Sequence, residues 1–232
     1  MVITGASKGI GRGIAMAAAA EGANLVLMAR SAEMLEDLKQ NFQERAIECV
    51  VYAGSVANEE DINGCIQLGL DIFGQVDVLI NNAGIGLFKP VEEISIEEWD
   101  SVMEVNARGT FLMTKAVLPH MKERKHGRII NIASDVSKRT FPAGSLYCAS
   151  KHAQHAFADA LRKEVLEHGI RVSTIYPGKV DTHFAGGKPG TPEKDDHLKP
   201  KDIAQAVIYL LHTPDYIVVD EITLHPSTQT WW

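Results

Sequence analysis

The chain reads as an α/β protein, a doubly wound parallel sheet of about seven strands with helices on both faces, and three observations predict it. Short apolar runs alternate with longer stretches of helical periodicity, the pattern left by parallel strands joined through crossover helices. The first apolar run empties into glycines at positions 5, 9 and 11 and then at once into an alanine-rich helix. The 232 residues, 45 % hydrophobic and 23 % charged, suit one domain spanning 1–232, with a core large enough to cover a sheet on both sides.

Taken along the chain, the strand segments are Val2–Thr4, Asn24–Met28, Glu48–Tyr52, Val76–Ile80, Arg128–Ala133, Arg171–Tyr176 and Glu221–Leu224. Each is a short apolar or β-branched run bounded by polar or turn residues. Between them, Gly11–Glu21, Ala32–Gln43, Glu59–Phe73, Ile96–Glu123, Tyr147–His168 and Lys201–His212 carry helical spacing. The first strand is a stub, either native or left by trimming, because only Met1 precedes it. The stretch Gly186–Lys199, rich in glycine, proline and charge, reads as an exposed loop. No repeat or low-complexity tract interrupts the pattern.

Two places carry chemistry. In Val2-Ile3-Thr4-Gly5-Ala6-Ser7-Lys8-Gly9-Ile10-Gly11, glycine permits a sharp turn and close backbone approach to a phosphate. The free N–H groups and positive dipole end of the next helix then hold the anion. Three residues rather than one separate the first two glycines, unlike the commoner dinucleotide fingerprint. In Ser145-Leu146-Tyr147-Cys148-Ala149-Ser150-Lys151, a phenol and an ammonium sit one helical turn apart on one face. A nearby cation stabilises phenolate and lowers a pKa that is ordinarily about 10.

Composition excludes several classes. Lys plus Arg number 23 and Asp plus Glu 30, a balance of −7 with no dense basic block, so nucleic acid is not the expected partner. The longest apolar stretch, Ile14 to Ala20, is far short of the ~20 residues that span a bilayer, and no signal-like leader stands at the N-terminus. Cys49, Cys65 and Cys148 are widely spaced and read as reduced thiols of a cytoplasmic protein. Cys148 reads as a packing residue, since no base stands at a supporting spacing. His152 and His155, with Asp159 one turn on, have a spacing that metals use, but they read as helix-surface residues and no metal is expected.

Taken together these residues resemble the short-chain dehydrogenase/reductase family, in its shorter single-domain branch. Thr4 to Gly11 matches the family's cofactor loop, and Asn81-Asn82-Ala83-Gly84 its segment after the fourth strand. Asn106, Ser134, Tyr147 and Lys151 fall on its catalytic tetrad, and Pro177-Gly178 with Val180 and Thr182 on the segment beside the nicotinamide. The match runs from Val2 to about Leu224; chance explains one such motif and not five in order. The resemblance implies strand order 3-2-1-4-5-6-7, with the ligand crevice beyond the carboxyl ends of the strands.

By the same resemblance, Gly5, Ser7, Lys8, Gly9, Ile10, Gly11, Arg30, Ser55, Asn82, Ala83 and Gly84 bind the cofactor, as do Tyr147, Lys151, Pro177, Gly178, Val180 and Thr182. At the end of the second strand Ala29 offers no carboxylate and Arg30 follows, with Lys8 near the same corner. Two cations and no anion favour NADP(H) over NAD(H). Ser55 stands where the family keeps an aspartate on the adenine, which weakens that contact.

Tyr147 is implied as proton donor or acceptor and Lys151 as the group that lowers its pKa and holds the nicotinamide ribose. Ser134 is implied to polarise the carbonyl, and Asn106 to anchor a proton-relaying water. Taken alone, Ser134 reads equally as a turn cap and Asn106 as filling a helix irregularity. His183, Phe184 and Phe141 are expected as pocket walls and Gly186–Lys199 as a short lid. The expected activity is carbonyl reductase or alcohol dehydrogenase on a small molecule. The alternatives are a 3-oxoacyl-carrier-protein reductase, with Lys125 and Lys163 docking the carrier, and a non-enzymatic NADP(H) sensor. The Val219–Pro226 tail lacks the Asp-Gly-Gly-type ending of such reductases. The small-residue stripe Ala149, Ala153, Ala156, Ala160 with Phe157, and the Ile96–Glu123 helix, are expected to build a homotetramer or else a dimer.

Overall fold

Apolar residues, many of them branched, fill most positions of the inner strands and build a sheet whose centre is buried on both faces. The computed structural model describes residues 1–43 and 47–230. Its seven strands are β1 (Val2–Thr4), β2 (Leu25–Ala29), β3 (Cys49–Ala53), β4 (Val78–Asn81), β5 (Gly127–Ile132), β6 (Ile170–Pro177) and β7 (Glu221–Leu224). They lie in the order 3-2-1-4-5-6-7, and every pairing is parallel. The doubly wound fold is therefore as the sequence predicts. The stub at β1 suffices because it is paired on both sides, Val2 with Val26 and with Leu79.

Side chains alternate across the strands, and that alternation sorts the core into two layers. Ile3, Leu25, Leu27, Ile130 and Ile132 face the layer covered by α1 (Gly9–Ala20), α2 (Ala32–Gln40) and α7 (Pro200–His212). Val2, Val26, Met28 and Ile129 face the opposite layer, covered by α3 (Glu59–Phe73), α5 (Gly109–Arg124) and α6 (Ser145–Val165). Each wholly buried leucine or isoleucine contributes roughly 1.5–3 kcal/mol relative to exposure. The alanines of α1 let it lie close to α7, where a Cβ on Gly13 would stand 3.0 Å from Pro200 Cβ.

Local chemistry sets the helix ends. Asn58 accepts from Asp61 N at 3.0 Å to start α3, and Gly74, at φ 72°, ends it, as cap preferences require. The helix expected over Ala32–Gln43 stops at Gln40, because the Asn41 side chain donates to Asp37 O at 2.7 Å and takes over a terminal carbonyl. The helix expected from Gly11 begins at Gly9 instead, since the glycine loop already turns helical there. The strand expected from Val76 begins at Val78. The larger correction concerns Ile96–Glu123. It is α4 (Ile96–Met103), a π turn over Glu104–Arg108, then α5. One wide turn leaves the apolar spacing nearly intact, so periodicity does not register it.

Candidate active site

The carboxyl ends of β1, β4, β5 and β6 open on one cavity of about 1190 Å³. Its floor is the glycine loop, and the loop is held by a clamp the sequence only half discloses. Thr4 Oγ1 donates to Ile80 O at 3.2 Å and accepts from Asn82 N and Ala83 N, both at 3.0 Å. Asn82 returns its amide to Thr4 O at 2.9 Å and Gly5 O at 3.2 Å. Gly5 sits at φ +63°, where a Cβ would lie 2.9 Å from Ala83 Cα; at Gly11 a Cβ would lie 2.3 Å from Gly5 O. Only glycine tolerates the first conformation and only the absence of a Cβ the second approach. The cradle thus fits a dinucleotide's pyrophosphate beside the start of α1.

The π turn makes Asn106 a brace. Wholly buried, it accepts from Ile85 N at 2.9 Å and donates to Ile85 O and Ser150 Oγ, each at 2.9 Å. Ser150 Oγ in turn donates to Tyr147 O at 2.8 Å. A π turn pushes its side chain out of helical register, which is how Asn106 reaches both the loop after β4 and α6. Its side chain is occupied by protein partners, and its carbonyl accepts from Thr110 Oγ1 at 2.9 Å.

Tyr147 and Lys151, one turn apart on α6, are both buried and both line the cavity. Burial pushes the phenol of Tyr147 well above its usual pKa, and a hydrogen bond with Ser134 pulls it part of the way back. The sequence implies the opposite direction, a phenol lowered by Lys151. The difference has a physical cause: the Lys151 ammonium stands 5.9 Å from the Tyr147 ring centroid. It is turned instead onto Ile132 O at 3.3 Å and Gln154 Oε1 at 3.0 Å. With only neutral acceptors around it, Lys151 is itself pushed down by burial to about 7. Ser134 caps the turn after β5, its Oγ accepting from Val136 N at 3.4 Å and donating to Asp135 Oδ1 at 3.2 Å. It serves as turn cap and as neighbour of the phenol together.

Of the other residues expected at the site, Gly5, Ser7, Lys8, Gly9, Ile10, Arg30, Ser55, Asn82, Ala83 and Gly84 line the cavity. So do Pro177, Gly178, Val180, Thr182, His183, Phe184 and Phe141. Gly11 and Asn106 lie behind its wall. Ser55 is engaged locally: its N–H donates to Asp61 Oδ2 at 2.8 Å and its Oγ accepts from Ala57 N at 3.2 Å. The Gly186–Lys199 loop is tied down by Asp181, which accepts from Gly190 N at 3.0 Å and from Lys199 Nζ at 3.1 Å.

His152 is bonded to Cys148 O at 2.9 Å and His155 to Tyr176 OH at 2.7 Å. Among the described residues no His, Cys, Asp or Glu group is arranged to hold a metal. The three cysteines are free and buried.

Sequence reasoning missed four residues at or beside the site. Phe88 stands edge-on to Tyr147, with ring centroids 5.5 Å apart and planes at 89°. Gln154, three residues past Lys151, donates to Thr110 Oγ1 at 2.9 Å; its place one turn past Lys151 on the same helix face is the available signal. Asp135 and Gln229 meet at 2.6 Å across 94 positions, and no local pattern encodes such a contact.

This is the doubly wound dinucleotide fold with a tyrosine–lysine pair at the mouth of its switch-point crevice. A family model described as short chain dehydrogenase matches residues 1–191, and the chain belongs to that family of oxidoreductases. It is 36 % identical over 225 residues to an uncharacterized oxidoreductase of Staphylococcus aureus, covering 97 % of this chain and 96 % of the relative. Among solved structures it is similar to an alcohol dehydrogenase of the archaeon Thermococcus sibiricus, complexed with 5-hydroxy-NADP. There the TM-score is 0.94 at 39 % identity, over 100 % of this chain and 97 % of that one. It is also similar to a 3-ketoacyl-(acyl-carrier-protein) reductase of Brucella melitensis, complexed with NADH. That match has a TM-score of 0.89 at 30 % identity, over 97 % and 96 % of the two chains.

Proposed function

We infer that the protein is an NADP(H)-dependent oxidoreductase interconverting a small-molecule carbonyl compound and its secondary alcohol. The observation that carries this reading is the meeting of Ser134, Tyr147 and Lys151 in the cavity floored by the glycine loop. A nicotinamide cofactor, when bound, supplies or accepts the hydride. The glycine loop, held in shape by Asn82, fits its pyrophosphate, and Lys8 and Arg30, both exposed at the cavity rim with Ala29 buried between strand and loop, fit a 2′-phosphate. Lys151, which lines the same cavity, would hold the nicotinamide ribose hydroxyls. Tyr147, its phenol kept protonated by burial, gives a proton to the developing alkoxide, and Ser134 steadies the same oxygen. The exposed Phe111, packed on Phe157 at 6.0 Å across α5 and α6, supports association of copies through that face.

A carrier-protein reductase is the second reading, favoured by the likeness to the Brucella melitensis enzyme. Against it, part of the Lys163 charge is offset by Asp159, paired with it at 2.8 Å on α6. The test is a panel of ketones, secondary alcohols and 3-oxoacyl thioesters assayed with NADPH and NADH in parallel. Ketone reduction faster with NADPH is expected; faster turnover with NADH would reverse the cofactor assignment, and preference for thioesters the substrate assignment. Tyr147→Phe should lower kcat by roughly 10²–10⁴-fold, the scale of a lost general acid, while fluorescence titration still shows cofactor binding. A variant that kept its activity would remove Tyr147 from the chemistry.

A further inference from the structure

The substrate end of the cavity is walled by aromatic rings drawn from three separate segments. Phe88 follows β4, Phe141 precedes α6 and Phe184 follows β6 at the start of the lid. Phe184 lies 5.4 Å from the Tyr147 ring with planes at 54°, and Phe88 lies 5.5 Å from it on another side. Phe141 backs Phe88 at 5.5 Å, and Phe88 and Phe184 face one another at 6.4 Å. The backbone makes room for this arrangement: a Cβ on Gly86 would stand 2.4 Å from Phe184 Cζ and 3.3 Å from Phe88 Cζ. Yet Phe88 remains 43 % exposed and Phe184 40 %. Neighbouring apolar rings left open beside a buried phenol are a ligand surface rather than a core.

We propose that the substrate is a ketone bearing an aromatic ring on its carbonyl carbon, and that Phe88, Phe141 and Phe184 select it. This rests on the oxidoreductase reading above. The carbonyl oxygen must lie within hydrogen-bond reach of the Tyr147 hydroxyl and Ser134 Oγ. A ring one bond from that carbonyl then lies beside Tyr147, the residue on which Phe88 and Phe184 already pack. Aromatic pairs prefer offset or edge-to-face contacts at centroid separations of about 4.5–7 Å, and the open edges and faces of these two rings offer both. A saturated ring of equal size gains the burial but not the quadrupolar contact. In the reduction, a bound reduced nicotinamide would supply the hydride, with its two electrons, that the carbonyl carbon takes up. Tyr147 gives a proton to the oxygen, the C=O π bond is replaced by one C–H and one O–H bond, and the cofactor leaves oxidised.

The deciding comparison is acetophenone against cyclohexyl methyl ketone, two methyl ketones of equal heavy-atom count, assayed with NADPH alongside 2-octanone. In the parent enzyme kcat/KM for acetophenone should exceed that for the cyclohexyl compound by about tenfold, the scale of one or two aromatic contacts. In Phe88→Leu and Phe184→Leu, which keep an apolar side chain at exposed positions, that ratio should fall to within about twofold, through KM more than kcat. Circular dichroism melts establish that the variants are folded. Equal or better turnover of the cyclohexyl ketone or 2-octanone by the parent would overturn the aromatic assignment while leaving the oxidoreductase reading in place. So would a ratio that survives both substitutions. Absence of turnover with every carbonyl compound, with the cofactor bound, would instead overturn the oxidoreductase reading and this one with it.

Discussion

Tyr147 and Lys151 are perturbed in directions that suit a proton donor in a dry site, and both perturbations have consequences at the bench. Because burial raises the Tyr147 phenol, its acid form persists through the neutral range. On the proposed mechanism reduction uses that form and alcohol oxidation the phenolate. Initial rates from pH 6 to 10 should therefore stay high for reduction around neutrality and climb with pH for oxidation. An oxidation rate already level from pH 6 would contradict a raised phenol. Lys151 titrates near pH 7 when folded, against 10.5 for an unperturbed lysine. Between those values the unfolded chain holds the extra proton, so this group makes stability rise with pH. Lys151→Met should consequently raise the Tm of the cofactor-free protein at pH 7, by roughly 2–4 °C per kcal/mol recovered, and the gain should shrink toward pH 10. Gln154 Oε1 loses its donor in that variant, which offsets about 1 kcal/mol. A lower Tm at pH 7 would mean that the ammonium is better solvated than its burial implies.

The π turn between α4 and α5 is the element on which the site's geometry turns. Among the described residues Asn106 bonds both the N–H and the C=O of Ile85, and it joins them to Ser150 on the Tyr147 helix. Asn106→Ala strands those groups, each at a cost of about 1–3 kcal/mol if water does not reach them. A fall in unfolding free energy of roughly 3 kcal/mol or more is expected by urea denaturation, with activity falling as well. Asn106→Asp, which keeps the acceptor for Ile85 N, should be milder in stability; equal losses would show that the brace to Ile85 N is idle. The same elements mark the limit of what the amino-acid pattern discloses. β1, α3 and β7 are bounded as the sequence predicts because local turns and caps such as Asn58 and Gly74 set their ends. The π turn is not legible, because one added residue barely disturbs a 3.6-residue apolar period. Tyr147, Lys151 and the glycines are legible because their chemistry depends on local spacing. Phe88, Asp135 and Gln229 are not, because distant segments bring them together.

Across the whole molecule, the C-terminal tail closes the crevice that the sheet opens. Gln229 donates to Asp135 Oδ2 at 2.6 Å, at the end of β5 beside Ser134, and accepts from Lys179 N at 3.0 Å, just past β6. Its Oε1 fills the space that a Cβ on Gly178 would occupy, 2.2 Å away. One residue earlier, Thr228 Oγ1 donates to Asp196 Oδ2 at 2.6 Å, within the Gly186–Lys199 loop. His225 Nε2 stands 3.4 Å from Asp135 Oδ2. Two strand ends and the Gly186–Lys199 loop, remote in sequence, are thus referred to one short segment. Removing Gln229 takes away two hydrogen bonds worth about 0.5–1.5 kcal/mol each but little buried apolar surface. The sheet and both core layers stay intact, so Gln229→Ala should lower Tm only by the loss of those two bonds, roughly 2–12 °C at 2–4 °C per kcal/mol. Its effect should fall on the site: a rise of roughly 3–10-fold in KM for cofactor or substrate, with kcat changed less, measured by steady-state kinetics beside a thermal melt. Unchanged KM values would reduce the tail to a surface covering. A larger loss of Tm would make it part of the fold rather than a tether on the crevice.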